Sequence, residues 1–130
     1  MHPQTVTHAV ESDSEPSRFF KLLVEVENIP KWAQGFADSI ERIDDTRFRV
    51  FKNGAVFEME VFANPSALTV DYIREMPNTK RGGAYIRVTP LPLGGSSITM
   101  TVPIGANRTE ADAAKVLAQE LAELIRLTLA

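Results

Sequence analysis

Between residues 39 and 103 the apolar side chains of this chain recur at every second position, and after residue 109 they recur at every third or fourth. That change of period constrains the fold more than any other feature, because a strand buries alternate side chains while a helix buries a stripe. The period-two region divides into Ser39–Asp44, Arg47–Lys52, Ala55–Ala63, Leu68–Glu75, Ala84–Leu91 and Ser97–Pro103. Turn-forming residues separate these runs: Asp44-Asp45, Asn53-Gly54, Asn64-Pro65-Ser66, Asn78 to Gly83, and Gly94-Gly95. Asn53-Gly54 between two alternating runs is the strongest hairpin signal. Connections this short demand antiparallel pairing, since parallel strands need long crossovers.

The closing segment, Thr109–Ala130, is helical in pattern. Thr109 or Asn107 starts it, and Glu110 and Asp112 lie in the first turn, where the helix dipole favours acid. Ala114, Leu117, Leu121, Leu124 and Thr128 make an apolar stripe widened by Ala118 and Ile125, with Asp112, Lys115, Gln119, Glu123 and Arg126 opposite. Such a helix spans roughly 30 Å at 1.5 Å per residue and needs an equally long apolar surface, which a curved sheet supplies.

Ahead of the sheet run, residues 5–11 alternate as a first strand, with Val6, His8 and Val10 on one side. Ser14 or Asp13 can cap a helix over Pro16–Val26, in which Phe19, Phe20, Leu23 and Val26 share a face. Asn28-Ile29-Pro30 should break it, because a residue before proline avoids helical angles. A second short helix is expected over Lys31–Phe36, with Trp32, the only tryptophan, buried near one mouth of the sheet–helix space. The expectation is one α+β domain over residues 1–130: a curved antiparallel sheet of about seven strands, two short helices after the first strand, and a long C-terminal helix across the sheet.

Composition narrows the function classes. A chain of 130 residues is long enough for one real core. A net charge of −3 gives no general attraction for phosphate backbones, so nucleic acid is a poor partner. Without cysteine there is no disulfide, thiolate nucleophile or cysteine-bound metal. The N-terminal residues lack a basic start followed by an apolar run, and no stretch approaches 18 apolar residues. A cytoplasmic protein without a membrane span is the simplest expectation.

Three stretches carry a family resemblance. Ser14-Glu-Pro-Ser-Arg-Phe-Phe-Lys-Leu-Leu is a proline-containing cap before an aromatic-aliphatic run, Val26-Glu-Asn-Ile-Pro-Lys-Trp32 ends in proline and tryptophan, and Ala118-Gln-Glu-Leu-Ala-Glu-Leu-Ile125 lies in the terminal helix. With the order of elements, over about residues 5–129, these resemble the helix-grip superfamily of START domains and birch-pollen allergens. The bacterial polyketide cyclase/dehydrase-like (SRPBCC) branch is the most similar. The resemblance implies a cavity between sheet and long helix, used across the superfamily for lipids, sterols, polyketides and other apolar molecules.

The residues agree with that implication in one respect. Phe57, Met59 and Val61 alternate on one strand face, as do Leu68, Val70 and Tyr72, and Ile98, Met100 and Val102, and Phe48 and Val50 join them. Of these, Phe48, Val50, Phe57, Met59, Val61, Val70, Tyr72, Ile98 and Met100, with Tyr85 from the next strand and Leu117 and Leu121 from the helix, are the candidate ligand-binding residues. The alternative is that the same face simply packs solid beneath the helix, as close-packed cores do.

Groups able to move protons are sparse. His8 is the one candidate base, and a lone strand histidine is more often structural. Glu58 and Glu60 lie opposite Phe57, Met59 and Val61, so alternation sends them to solvent, and Asp71 follows the same rule. Tyr72 and Tyr85 can orient a carbonyl or hydroxyl, whereas Arg87 reads as solvent-facing. Arg81-Gly-Gly-Ala-Tyr-Ile-Arg-Val88 matches the RNA-recognition consensus at its basic, glycine and central aromatic positions, but Gly83 and Val88 stand where base-stacking aromatics belong. Lys80 to Gly83 reads as a solvated hairpin tip rather than an anion loop. No metal-ligand spacing occurs, and no cofactor is expected.

The expected function is therefore binding of a small apolar ligand, without catalysis. A metal-free cyclase, dehydratase or aromatase is the alternative, and a packed interaction module the further one. The oligomeric state is left open, a homodimer included.

Overall fold

Each period-two run folds as a strand, and the sheet they form is closed off by the chain's first segment. The computed structural model describes residues 3–75, 81–105 and 107–129. In order, these form β1 (Thr5–Ser12), α1 (Pro16–Val24), a 3-10 turn at Val26–Asn28, α2 (Ile29–Trp32), β2 (Ser39–Arg42), β3 (Arg47–Lys52), β4 (Ala55–Asn64), β5 (Thr69–Glu75), β6 (Arg81–Pro90), β7 (Ser96–Pro103) and α3 (Glu110–Thr128). The seven strands make one sheet in the order β1-β7-β6-β5-β4-β3-β2. Every neighbouring pair is antiparallel, and β1 returns to pair with β7 from Thr5↔Pro103 to Ser12↔Ser96.

The β3–β4 turn has Asn53 at φ 49° and Gly54 at φ 80°, the left-handed pair that a tight hairpin requires. At Gly95, a Cβ would collide with the Ser12 backbone carbonyl, so only glycine lets the β6–β7 hairpin approach the end of β1.

The concave face carries the core. Val50, Val70, Ile98, Leu121 and Leu124 have no exposed surface, and Phe48, Met59, Ile86, Val88, Met100 and Leu117 are buried beside them. The long helix covers β1 and abuts α1 and α2. Its N-terminus is a reciprocal box: Asp112 N–H donates to Thr109 Oγ1 at 3.1 Å and Thr109 N–H to Asp112 Oδ2 at 3.3 Å.

Several local expectations are corrected. Ser14 does not cap α1, because its hydroxyl is engaged with Thr128 Oγ1 at 2.8 Å; Glu15 occupies the cap position without a side-chain bond. Pro30 opens a helix instead of merely ending one. Ile29 before it is helical at φ −51°, and the second helix is Ile29–Trp32, not Lys31–Phe36. A proline at the first turn loses only an N–H that was unpaired anyway, which outweighs the bias on its predecessor. Leu68 precedes β5 in a left-handed conformation, φ 56°, while Asn64 Oδ1 accepts from the Ser66 and Ala67 N–H groups. Ala113 takes the buried place on α3, and Ala114 is only half-buried. β6 begins at Arg81, so Arg81–Gly83 is strand; His2 and residues 76–80, including Asn78 and Lys80, lie outside the described residues.

Candidate functional site

Under the N-terminal half of α3 the concave face is not filled. A cavity of about 510 Å³, open to solvent, is walled by Met59 of β4, Tyr72 and Arg74 of β5, Gly82 to Ala84 of β6 and Met100, Val102 and Pro103 of β7. Ala113, Val116, Leu117 and Glu120 of α3 form its roof. Ile29, Trp32, Gly35 and Phe36 close one flank, and Ile104, Gly105, Asn107 and Arg108 form the rim. The space exists because Gly82 and Ala84 occupy the inward positions of β6, where Ile86 and Val88 fill the continuation of the same face. Cavities of several hundred cubic ångströms are of ligand-binding size.

The polar groups in this wall differ in how they are satisfied. Tyr72 is spoken for: its hydroxyl donates to the Leu23 carbonyl at 2.6 Å, and burial raises its pKa well above the ordinary phenol value. Its ring lies 6.4 Å from that of Trp32. By contrast, Trp32 Nε1 and Arg74 Nε are buried without a hydrogen-bond partner among the described residues. Leaving such donors unpaired costs about 1–3 kcal/mol each. The Arg74 guanidinium is held 3.9 Å above the Phe57 ring, and Phe57 is braced edge-on by Phe36 at 5.7 Å. On the opposite wall, burial pushes the Glu120 carboxyl up to about 7, with the Arg108 cation opposing the shift. Arg108 itself donates from Nε to the Ile104 carbonyl at 2.6 Å and from Nη2 to that of Pro103 at 3.1 Å, pinning the rim.

Of the residues expected to bind ligand, Met59, Tyr72, Met100 and Leu117 line the cavity. Phe48, Val50, Val61, Val70, Ile98 and Leu121 share the inward face but lie in the packed core, and Phe57 supports Arg74 from outside the wall. Tyr85 does not contribute: with Ile86 and Val88 buried on one face of β6, alternation turns it outward, where it is 46% exposed. His8 is half-buried on β1 opposite Met100 and does not border the cavity. Glu58 and Arg87 are exposed. Asp71 is outward too, between cross-strand Phe62 and Tyr85, and its carboxyl is raised by burial.

Trp32 is buried at the cavity flank, as its position after Ile29-Pro30 suggested. Arg74 and Glu120 were missed. The signal for Arg74 was present, since the period that turns Val70 and Tyr72 inward continues to residue 74. Glu120 lies three residues after Leu117 and four before Leu124, on the margin of the stripe, where spacing alone does not choose between cavity and solvent.

This backbone arrangement is shared with known structures. The di-domain aromatase/cyclase StfQ from the steffimycin biosynthetic pathway superposes with a TM-score of 0.69 at 16% identity, over 95% of this chain. The chain spans 44% of that protein's length. The Zhui aromatase/cyclase from Streptomyces sp. R1128 gives a TM-score of 0.68 at 14% identity, over 96% of this chain and 93% of that one. A START superfamily protein from Mycobacterium smegmatis gives 0.64 at 14% identity, over 98% and 94%. The chain has the helix-grip fold. No protein-family model matches it, and neither does any curated protein. In helix-grip terms the long helix is α3 and the gripped space is the cavity beneath its first three turns. No helix among the described residues is long and apolar enough to cross a membrane.

Proposed function

We propose that the protein binds a small, largely apolar molecule, elongated or ring-containing, in the cavity beneath α3, and releases it unchanged. The observation that carries this reading is the cavity itself: about 510 Å³, walled mainly by apolar side chains, in a fold whose remaining concave face is tightly packed. A packed interaction module needs no such space. Lipid-, sterol- and polyketide-like molecules are the classes that suit the wall, since buried apolar surface contributes about 25 cal/mol per Å². Micromolar affinity is the expected range.

The test is a panel of fatty acids, sterols and aromatic polyketides followed by thermal unfolding. At a hundredfold excess over Kd a true ligand stabilises the native state by about 2.7 kcal/mol, roughly 10 °C in a domain of this size. Met59→Trp, which pushes an indole into the cavity, should abolish that shift while leaving the protein folded. If no ligand moves the melt and Met59→Trp is strongly destabilising, the space is too small to be used and the packed-module reading takes over.

One observation favours a second reading, a cyclase, dehydratase or aromatase. Glu120 borders the cavity with its carboxyl raised to about 7, where a general acid or base works best near neutral pH. Turnover of a bound polyketide by the native protein, lost in Glu120→Gln with binding retained, would decide for the enzyme.

A further inference from the structure

Glu120 sets the polarity that a ligand meets beneath α3. It stands one turn after Val116 and Leu117 on the cavity roof, at the helical spacings of four and three. Unlike Trp32 Nε1 and Arg74 Nε, which are sealed, its oxygens keep accessible surface on this partly exposed residue. No hydrogen bond or ion pair reaches it among the described residues: Arg108 gives Nε and Nη2 to the Ile104 and Pro103 carbonyls, and Arg126 is taken by Glu123. A carboxyl that is partly desolvated, reachable and unpaired is a poor wall for a pure hydrocarbon, which would strip its remaining water and return no hydrogen bond.

The polar group that suits it follows from the neighbouring charges. Arg74 and Arg108 also border the cavity, so an ammonium would enter beside two cations, and a ligand carboxylate would face Glu120 itself. A carbonyl or ether oxygen only accepts, which serves the protonated carboxyl and not the carboxylate. A hydroxyl donates to the carboxylate and accepts from the acid, so it fits a group that titrates near neutral pH. Resting on the binding reading above, we propose that the ligand is an apolar alcohol or phenol, its hydroxyl on the Glu120 carboxyl and its body along Phe36, Ala84, Val102 and Val116. Each of those four side chains borders the cavity and keeps exposed surface.

The experiment titrates 1-octanol and 2-naphthol, their methyl ethers and octylamine into the native protein by calorimetry at pH 7. The better-fitting alcohol should bind at least about fivefold tighter than its ether, the range of one hydrogen bond. Octylamine should bind no tighter than octanol. Glu120→Leu, which keeps the bulk and deletes both oxygens, should erase the preference by weakening the alcohol about fivefold or more and the ether not at all. Glu120→Gln accepts and donates as the carboxyl does, so it should retain the preference, and it guards against Glu120→Leu acting through a change of fold. Equal affinity of alcohol and ether for the native protein, tighter binding of the amine, or a preference that survives in Glu120→Leu overturns the hydroxyl assignment and leaves the apolar-binding reading standing. Failure of all five probes to bind overturns both.

Discussion

The two ends of the space beneath α3 are built on the same strands and the same helix, yet one is solid and the other hollow. At the C-terminal end, Leu121, Leu124 and Thr128 of α3 meet Phe19 and Leu23 of α1 and Val88 and Ile98 of the sheet, all nearly or wholly buried. Its polar groups are paired: Ser96 Oγ donates to the Ser14 carbonyl at 2.7 Å, Ser14 and Thr128 hydroxyls meet at 2.8 Å, and Arg18 donates to the Thr128 carbonyl at 2.7 Å. At the N-terminal end, β6 offers Gly82 and Ala84 in place of Ile86 and Val88, and Trp32 Nε1 and Arg74 Nε have no partner among the described residues. The difference teaches that the cavity is made by side-chain size at a few inward positions rather than by the backbone plan. It also separates the polar groups, which pair with one another at the closed end, whereas two buried donors at the open end have no partner among the described residues.

The largest expected contrast comes from placing one charge at each end. Leu121→Asp puts an unpaired carboxylate among residues with no exposed surface, and should unfold the domain or leave it molten. Val116→Asp, one turn nearer the N-terminus at a site already 37% exposed on the cavity roof, should cost under about 1 kcal/mol. Circular dichroism melts of the two variants check this. Equal tolerance would mean that α3 is not anchored at the end assigned here.

That contrast also explains what could be read from the chain alone. The strands, their antiparallel order and the α3 stripe were legible because periodicity reports which face is buried, and Leu117, Leu121 and Leu124 repeat that signal along the helix. What periodicity does not report is whether an inward position has a partner opposite it. Val70 and Met100 have the same pattern and both pair with Ile86, yet Val70 is packed and Met100 borders open space. For the same reason Arg74 and Glu120 were not picked out. A charge within an inward series is usually a strand or helix end reaching water, and only the empty volume beside these two gives them another meaning.

A medium effect sharpens the comparison along one face of β6. Val88→Phe at the closed end overpacks a site that is 1% exposed and should cost about 1–3 kcal/mol in urea unfolding. Ala84→Leu, two inward positions away, grows into the cavity and should change stability by less than about 0.5 kcal/mol while weakening ligand binding. A matching loss for Ala84→Leu would show that the wall has no room, contrary to the volume seen.

The smallest effect concerns Glu120, whose carboxyl borders the open end. Its folded value is raised from 4.5 to about 7, mainly by burial. The folded state therefore holds this proton more tightly than the unfolded chain, and its contribution to stability is fully present below about pH 4.5 and is lost as pH rises through 7. The full shift corresponds to roughly 3 kcal/mol at about 1.4 kcal/mol per unit, and water in the open cavity reduces this to about 1 kcal/mol. Glu120→Gln mimics the protonated carboxyl, so it should match the native protein at pH 5 and exceed it by about 1 kcal/mol at pH 8 in denaturant titrations. At the closed end no comparable pH-dependent gain is expected, because Ser14, Ser96 and Thr128 do not titrate in that range. A Glu120→Gln difference that is the same at pH 5 and pH 8 would mean the carboxylate is fully hydrated, and the open end would then be simple solvent-facing surface rather than a partly desolvated wall.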